Sequence, residues 1–171
     1  DKDLALELGL TGKKVLGYIG SLTDYEGIDV LIRGFAEIES RRGDIALLIV
    51  GSGNNLEQLK ELALETGASN VVFTGRISHD KILTYYSLLD LFVIPRLPYR
   101  VCCYVSPLKP FEALSTGCSL LVSDLPALRE IIETSKAGRY FTPADPVSLA
   151  DEAEKILDAP ETLKTISEQA V

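Results

Sequence analysis

Short apolar runs alternate along the chain with segments whose apolar residues return at helical spacing. The runs are KVLGYIG (14–20), IALLIVG (45–51), NVVFTG (70–75), LFVIP (91–95), SLLVS (119–123) and the weaker GRYF (138–141). They are rich in β-branched or aromatic residues and mostly closed by Gly, Pro or Ser, so they predict strands. Between them, Ile28, Leu31, Ile32, Phe35 and Ile38 would share one helix face. So would Leu56, Leu59, Leu62 and Ala63, and likewise Ile82, Tyr85, Tyr86 and Leu89. Further helices are expected over 125–134 and 147–158, and APETLKTISEQAV suggests a partly docked terminal helix. Continuous rather than alternating strands indicate a sheet covered on both faces, which predicts an α/β architecture: a doubly wound parallel sheet of about six strands with helices on both faces.

In such sheets ligands bind beyond the carboxyl ends of the strands, where loops enter helices. That rule selects Gly20–Gly27, Gly51–Asn55, Gly75–His79 and Pro95–Lys109 before any motif is considered. Composition narrows the choice of ligand. With 171 residues and 46% hydrophobic content, one Rossmann-like domain over 1–171 is expected. No apolar run approaches the roughly 20 residues of a membrane span. A net charge of −8 argues against a nucleic-acid or anionic-membrane surface, so phosphate recognition has to be local. The three cysteines include an adjacent pair and no Cys-x-x-Cys, which favours reduced thiols and a cytoplasmic setting, with no zinc site. The sequence contains no Met, not even an initiator, and is expected to be cut or processed from something longer.

Three of the four loops turn on glycine. VGSGNN (50–55) reads as a tight strand-to-helix turn; a dinucleotide fingerprint would need Gly in place of Leu56 and an acid closing the next strand. IGSLTDYEG (19–27) brings backbone N–H groups to the sheet edge but has Ser21 and Glu26 where cations would be sought. TGRISHD (74–80) places Arg76 and the main chain of Ile77 at the third strand end, with Ser78 as a helix N-cap. His79, the only histidine, reads as exposed, because no acid–base partner is fixed by sequence.

The stretch PRLPYRVCCYVSPLKPFEALSTG (95–117) is the most informative. From Leu91 to Phe111 there is no carboxylate, while Arg96, Arg100 and Lys109 are present. Pro110 fits a first helical position, with Pro107 just before it, leaving Glu112 in the first turns. Two readings stay open on these residues alone. In one, free N–H groups, Lys109 and Arg96 seat a phosphate and Glu112 accepts hydrogen bonds from a ribose. In the other, Glu112 complements the helix dipole and Lys109 is a solvated surface residue.

The segments GYIGSLTDYEGIDVLIRGF, LLIVGSG, VVFTGRIS, YYSLLDLFVIPR, SPLKPFEALSTG, LVSDLPALREII and TPADPVSLADEA, in that order, resemble the C-terminal, donor-binding half of a GT-B-fold glycosyltransferase of the retaining group 1 family. The resemblance implies a nucleotide-sugar donor, of UDP or GDP type, and an acceptor bound by an N-terminal domain. Residues before 14 are too few to form that domain, so the chain alone is expected to bind donor but to turn over little. No metal or other cofactor is implied; DKD (1–3) only imitates the Asp-x-Asp of other transferases, at an end expected to fray. By the same resemblance Glu112 would bind ribose and the backbone at Leu108 and Lys109 would meet the diphosphate, with Ser106 just before them. Arg76 and Ile77 would flank the base, Gly20 would permit close approach to the phosphates, and Ser21 and Gly51 would also belong to the donor site.

Three positions depart from the family pattern. The first Glu of its paired-glutamate motif falls on Tyr104, beside Cys103, so the catalytic residue is unassigned and the role of Cys102 and Cys103 open. The Arg after the first-strand Gly is Ser21, and the Lys in the following loop is Glu26. Each lost cation would remove roughly 1.5 to 3 kcal/mol if hydrogen-bonded to the diphosphate, with Arg96 and Lys109 as natural substitutes. The alternatives are a non-catalytic nucleotide- or protein-binding module and a GT-B-fold nucleotide-sugar epimerase.

Overall fold

The computed structural model describes residues 1–159; the terminal helix expected within 159–171 therefore lies, beyond its first residue, outside the described residues. The strands are β1 (Lys14–Ile19), β2 (Ile45–Val50), β3 (Val71–Gly75), β4 (Leu91–Ile94), β5 (Ser119–Ser123) and β6 (Gly138–Phe141). All pair in parallel, in the order β3-β2-β1-β4-β5-β6. The doubly wound sheet expected from the sequence is the one observed.

Helices α1 (Lys2–Glu7), α2 (Ile28–Arg41), α3 (Leu56–Thr66), α4 (Ile82–Tyr86), α5 (Arg100–Tyr104), α6 (Lys109–Ser115), α7 (Pro126–Ser135) and α8 (Pro146–Leu157) connect and cover the strands. Successive strand residues feed two cores, as a period of two requires. Ile45, Leu47 and Ile49 pack with Phe35, Ile38, Leu59 and Ile156 under α2, α3 and α8. Ala46, Leu48 and Val50 belong to the opposite layer with Tyr86, Leu114, Leu128 and Ile132 from α4, α6 and α7.

Some helix boundaries depart from the sequence reading. DKD does not fray: the Asp1 carboxylate caps α1, accepting from the N–H groups of Asp3 and Leu4 at 3.1 Å. Helix α4 stops at Tyr86 rather than Leu89, because the next turn closes through tighter bonds, Leu88 N–H to Tyr85 O and Leu89 N–H to Tyr86 O. That turn drops Leu89 against Gly17, where any Cβ would lie 2.3 Å from a Leu89 methyl. Residues 95–109 are not one loop: Arg100–Tyr104 forms α5. Helix α6 starts one residue earlier than expected, with Lys109 first and Pro110 second, where the missing N–H is still without an intrahelical role.

Strand order reverses between β1 and β4, and these two strands pair only at Leu16↔Leu91 and Gly17↔Phe92. β1 pairs with β2 along its whole length, Lys14 to Ile19. Beyond Gly17 the sheet therefore opens on one side of β1, at the topological switch point where doubly wound folds take their ligands.

Candidate functional site

Loops from the two sides of the switch point are stitched together. After β1 the chain makes a 3-10 turn, Asp24–Glu26, and Gly27 ends it in the left-handed region at φ 68° before starting α2. Gly27 packs against the backbone after β4, and a Cβ on it would sit 2.0 Å from Pro95 O. Leu97 N–H donates to Tyr25 O at 3.0 Å. These contacts drive the Glu26 side chain inward, where it is only 3% exposed.

A buried carboxylate needs partners, and Glu26 has two. The Lys109 ammonium lies 2.8 Å from its Oε1 and the Arg96 guanidinium 3.1 Å from the same atom. Arg96 also donates to Val105 O at 3.2 Å. Lys109 donates to Tyr18 Oη at 2.7 Å, and that hydroxyl donates to Ser21 O at 2.9 Å. Burial pushes the Glu26 carboxyl up, but the Lys109 charge and hydrogen bonds from Arg96 and Lys109 prevail and hold it below its ordinary range. Burial lowers the Lys109 pKa, with Glu26 opposing. Burial, then the Glu26 charge, pushes the Tyr18 phenol far up, so it remains a donor.

Arg96 and Lys109, expected as substitutes for the lost cations, are thus both held by Glu26, and Lys109 is not a solvated surface residue. The sequence marked Glu26 as a missing cation; its carboxylate is in fact the hub of the cluster. The signal available in the sequence was the acid in a short Gly-bounded loop facing an acid-free window, but the pairing spans 70 positions and is set by the fold alone.

Gly20 lies directly beside Lys109: a Cβ there would meet Lys109 Cε at 2.4 Å. On its other side, a Cβ on Gly51 would fall 1.8 Å from Gly20 O. The two glycines floor a crevice of about 210 Å³, which Ser21, Arg76 and Ile77 also line. Five of the residues selected from the sequence therefore converge. Glu112, in the first turn of α6, accepts from the buried Tyr86 hydroxyl at 3.2 Å, which fixes its orientation and leaves further acceptor capacity. Desolvation, then Glu112, raises the Tyr86 phenol well above its ordinary range.

The remaining selected residues are peripheral. Ser106 and Leu108 are exposed on the approach to α6, and Tyr104 is 80% exposed at the end of α5. His79 is exposed in the 3-10 turn His79–Lys81. Cys103 is half-buried, whereas Cys102 is buried with its thiol 3.7 Å from Tyr25 O, and burial pushes its pKa up. Cys118, also buried, is pushed up to about 12. Cys102 and Cys118 are therefore packing thiols rather than nucleophiles.

A larger cavity, about 460 Å³, runs between α2 and α3. Among the described residues, Asp24, Asp29, Glu61 and Glu65 line it against one cation, Arg33, so their field repels a phosphate. Size favours this groove and charge the switch point; for an anionic ligand charge decides.

A doubly wound parallel sheet with a Gly-floored crevice at its strand ends, beside the cluster of Lys109, Arg96 and Glu26, defines a Rossmann-like α/β unit. Within that class, residues 6–171 match the family of glycosyl transferases group 1, and the chain belongs to it. It is 30% identical over 148 residues to an uncharacterized glycosyltransferase of Methanocaldococcus jannaschii, covering 85% of this chain and 36% of the relative. It is 26% identical over 169 residues to the alpha-D-kanosaminyltransferase of Streptomyces kanamyceticus, covering 98% of this chain and 42% of that protein. Among solved structures, Anabaena Alr3699/HepE in complex with UDP and glucose superposes with a TM-score of 0.87 at 19% identity, over 99% of this chain and 45% of that one. The fold is that of GT-B glycosyltransferases, and the chain spans less than half the length of these relatives.

Proposed function

We propose that this chain is the donor-binding half of a retaining glycosyltransferase that holds a UDP- or GDP-type nucleotide-sugar at the switch point, while a further domain of a longer protein binds the acceptor. The observation that carries the reading is the net-positive cluster of Lys109, Arg96 and Glu26 beside Gly20, with Glu112 oriented nearby on the same helix as Lys109. The protein's own cations serve the diphosphate, and no metal or other cofactor enters the reading. Glu112 takes the ribose hydroxyls, and Arg76 and Ile77 border the base. The UDP complex of HepE supports the assignment by its likeness of fold. Transfer needs water excluded by a second surface, so the chain alone is expected to bind donor with little turnover.

A second reading, a nucleotide-binding module without transfer chemistry, is favoured by one observation: Tyr104, where the family pattern has an acid, is largely exposed. An epimerase fits less well, since the sole His79 lies on an exposed turn.

A thermal-unfolding panel with UDP, GDP, ADP and NAD tests the reading. At about 100 times Kd a selective ligand adds about 2.7 kcal/mol of stability, which raises Tm by about 5 to 10 °C for a domain of this size. UDP or GDP should give that shift. A shift with NAD alone contradicts the transferase reading, and no shift with any of the four on a folded sample contradicts a nucleotide site of either kind and favours a protein-binding module without transfer chemistry.

A further inference from the structure

Glu26 places a carboxylate against the very cations a diphosphate would use. Its side chain is 3% exposed. The turn that carries it is closed by Glu26 N–H to Thr23 O at 3.1 Å and Gly27 N–H to Asp24 O at 3.3 Å, and is pinned against the backbone after β4 by Gly27. These contacts hold the turn, and with it the Glu26 carboxylate, in place. Glu26 is thus a fixed anion, and with Lys109 and Arg96 it leaves the cluster a single net positive charge.

The chemistry of transfer makes that anion discriminating. In a nucleotide-sugar the terminal phosphate is linked both to the sugar and, by an anhydride, to the neighbouring phosphate; when the bond to the sugar breaks and the sugar passes to the acceptor, that phosphate keeps only the anhydride link and gains most of a further negative charge at neutral pH. A partly desolvated cluster answers added charge strongly. With two free cations the released nucleoside diphosphate would be held much more tightly than the donor. The buried carboxylate takes up part of that attraction in advance.

We propose that Glu26 is a specificity-determining residue that sets the balance between nucleotide-sugar and free nucleoside diphosphate, disfavouring the more highly charged product so that it leaves. The inference rests on the donor-site reading above. It assigns Glu26 an action through Lys109 and Arg96, without direct contact with the reacting atoms.

The test is titration calorimetry on the full chain, wild type and Glu26→Gln, with UDP against UDP-glucose and GDP against GDP-mannose. Glu26→Gln should tighten UDP or GDP by about tenfold while changing the matching nucleotide-sugar by less than about threefold. A ratio of the two affinities that stays at the wild-type value overturns the inference while leaving the donor site standing. No binding of any of the four to either protein overturns both. Glu26→Gln leaves two cations facing each other, so Glu26→Asp, which only draws the carboxylate back, provides a second variant. It should move the ratio in the same direction by at least about twofold, and an unmoved ratio there overturns the inference equally.

Discussion

Replacing Lys109 with Met should weaken binding of UDP or GDP by about 10- to 150-fold, the equivalent of losing one charged hydrogen bond of about 1.5 to 3 kcal/mol. The size follows from where the ammonium sits. Its side chain is only 18% exposed, it lies beside Gly20, which floors the crevice, and its hydrogen bond to Tyr18 and ion pair with Glu26 hold it in place before any ligand arrives. A pre-positioned cation contributes more than a mobile surface lysine, because little side-chain freedom is lost on binding. Stability should fall less than affinity, since Glu26 retains Arg96 as a partner and is not left as a lone buried charge. Calorimetric titration together with urea unfolding separates the two effects. An unchanged nucleotide affinity would remove Lys109 from the site.

Gly51→Ala should be the most damaging of the small substitutions, costing about 3 kcal/mol and lowering Tm by about 6 to 12 °C. The Cβ it adds would stand 1.8 Å from Gly20 O, a main-chain atom that cannot rotate away as a side-chain tip would. Relief requires parting the ends of β1 and β2, where Gly20 N–H donates to Val50 O at 2.9 Å, while Gly51 is itself tied to β3 by its N–H to Gly75 O at 3.0 Å. The backbone of Gly51, at φ 143°, adds strain for any residue with a side chain. Because Gly20 floors the crevice, the same displacement should abolish nucleotide binding. Gly43→Ala is the control: a Cβ there meets nothing within 4 Å, and its melting temperature should stay near wild type. Equal melting temperatures for the two variants would show that the close approach of the glycines does not constrain the sheet.

The strands were legible because residues covered on both faces leave continuous apolar runs, and IALLIV is buried at every position. That ligand loops lie beyond the carboxyl ends of parallel strands also followed, and Gly20, Ser21, Gly51, Arg76 and Ile77 meet there, whereas the strand order that creates the switch point did not. What the sequence concealed were features decided by tertiary contact. Helix α5 was hidden in a proline-marked stretch, yet Tyr99 O accepts the N–H groups of Cys102 and Cys103 and starts a turn that Pro98 only precedes. Pairing of Glu26 with Arg96 and Lys109 was hidden more deeply, since a charge read along the chain has no partner until the fold supplies one. Counting Glu26 as a cation lost and Lys109 as its substitute missed the ion pairs that join them. The buried Tyr86 that orients Glu112 was likewise visible only as one apolar position of a helix.

The most direct measurement is a crystal structure of this chain with UDP or GDP bound. The account predicts the diphosphate within hydrogen-bonding distance of Lys109 Nζ and the main chain at Gly20, the ribose against Glu112, and Glu26 still paired with Arg96. A nucleotide seated instead in the groove between α2 and α3, with Lys109 and Glu112 untouched, would contradict it.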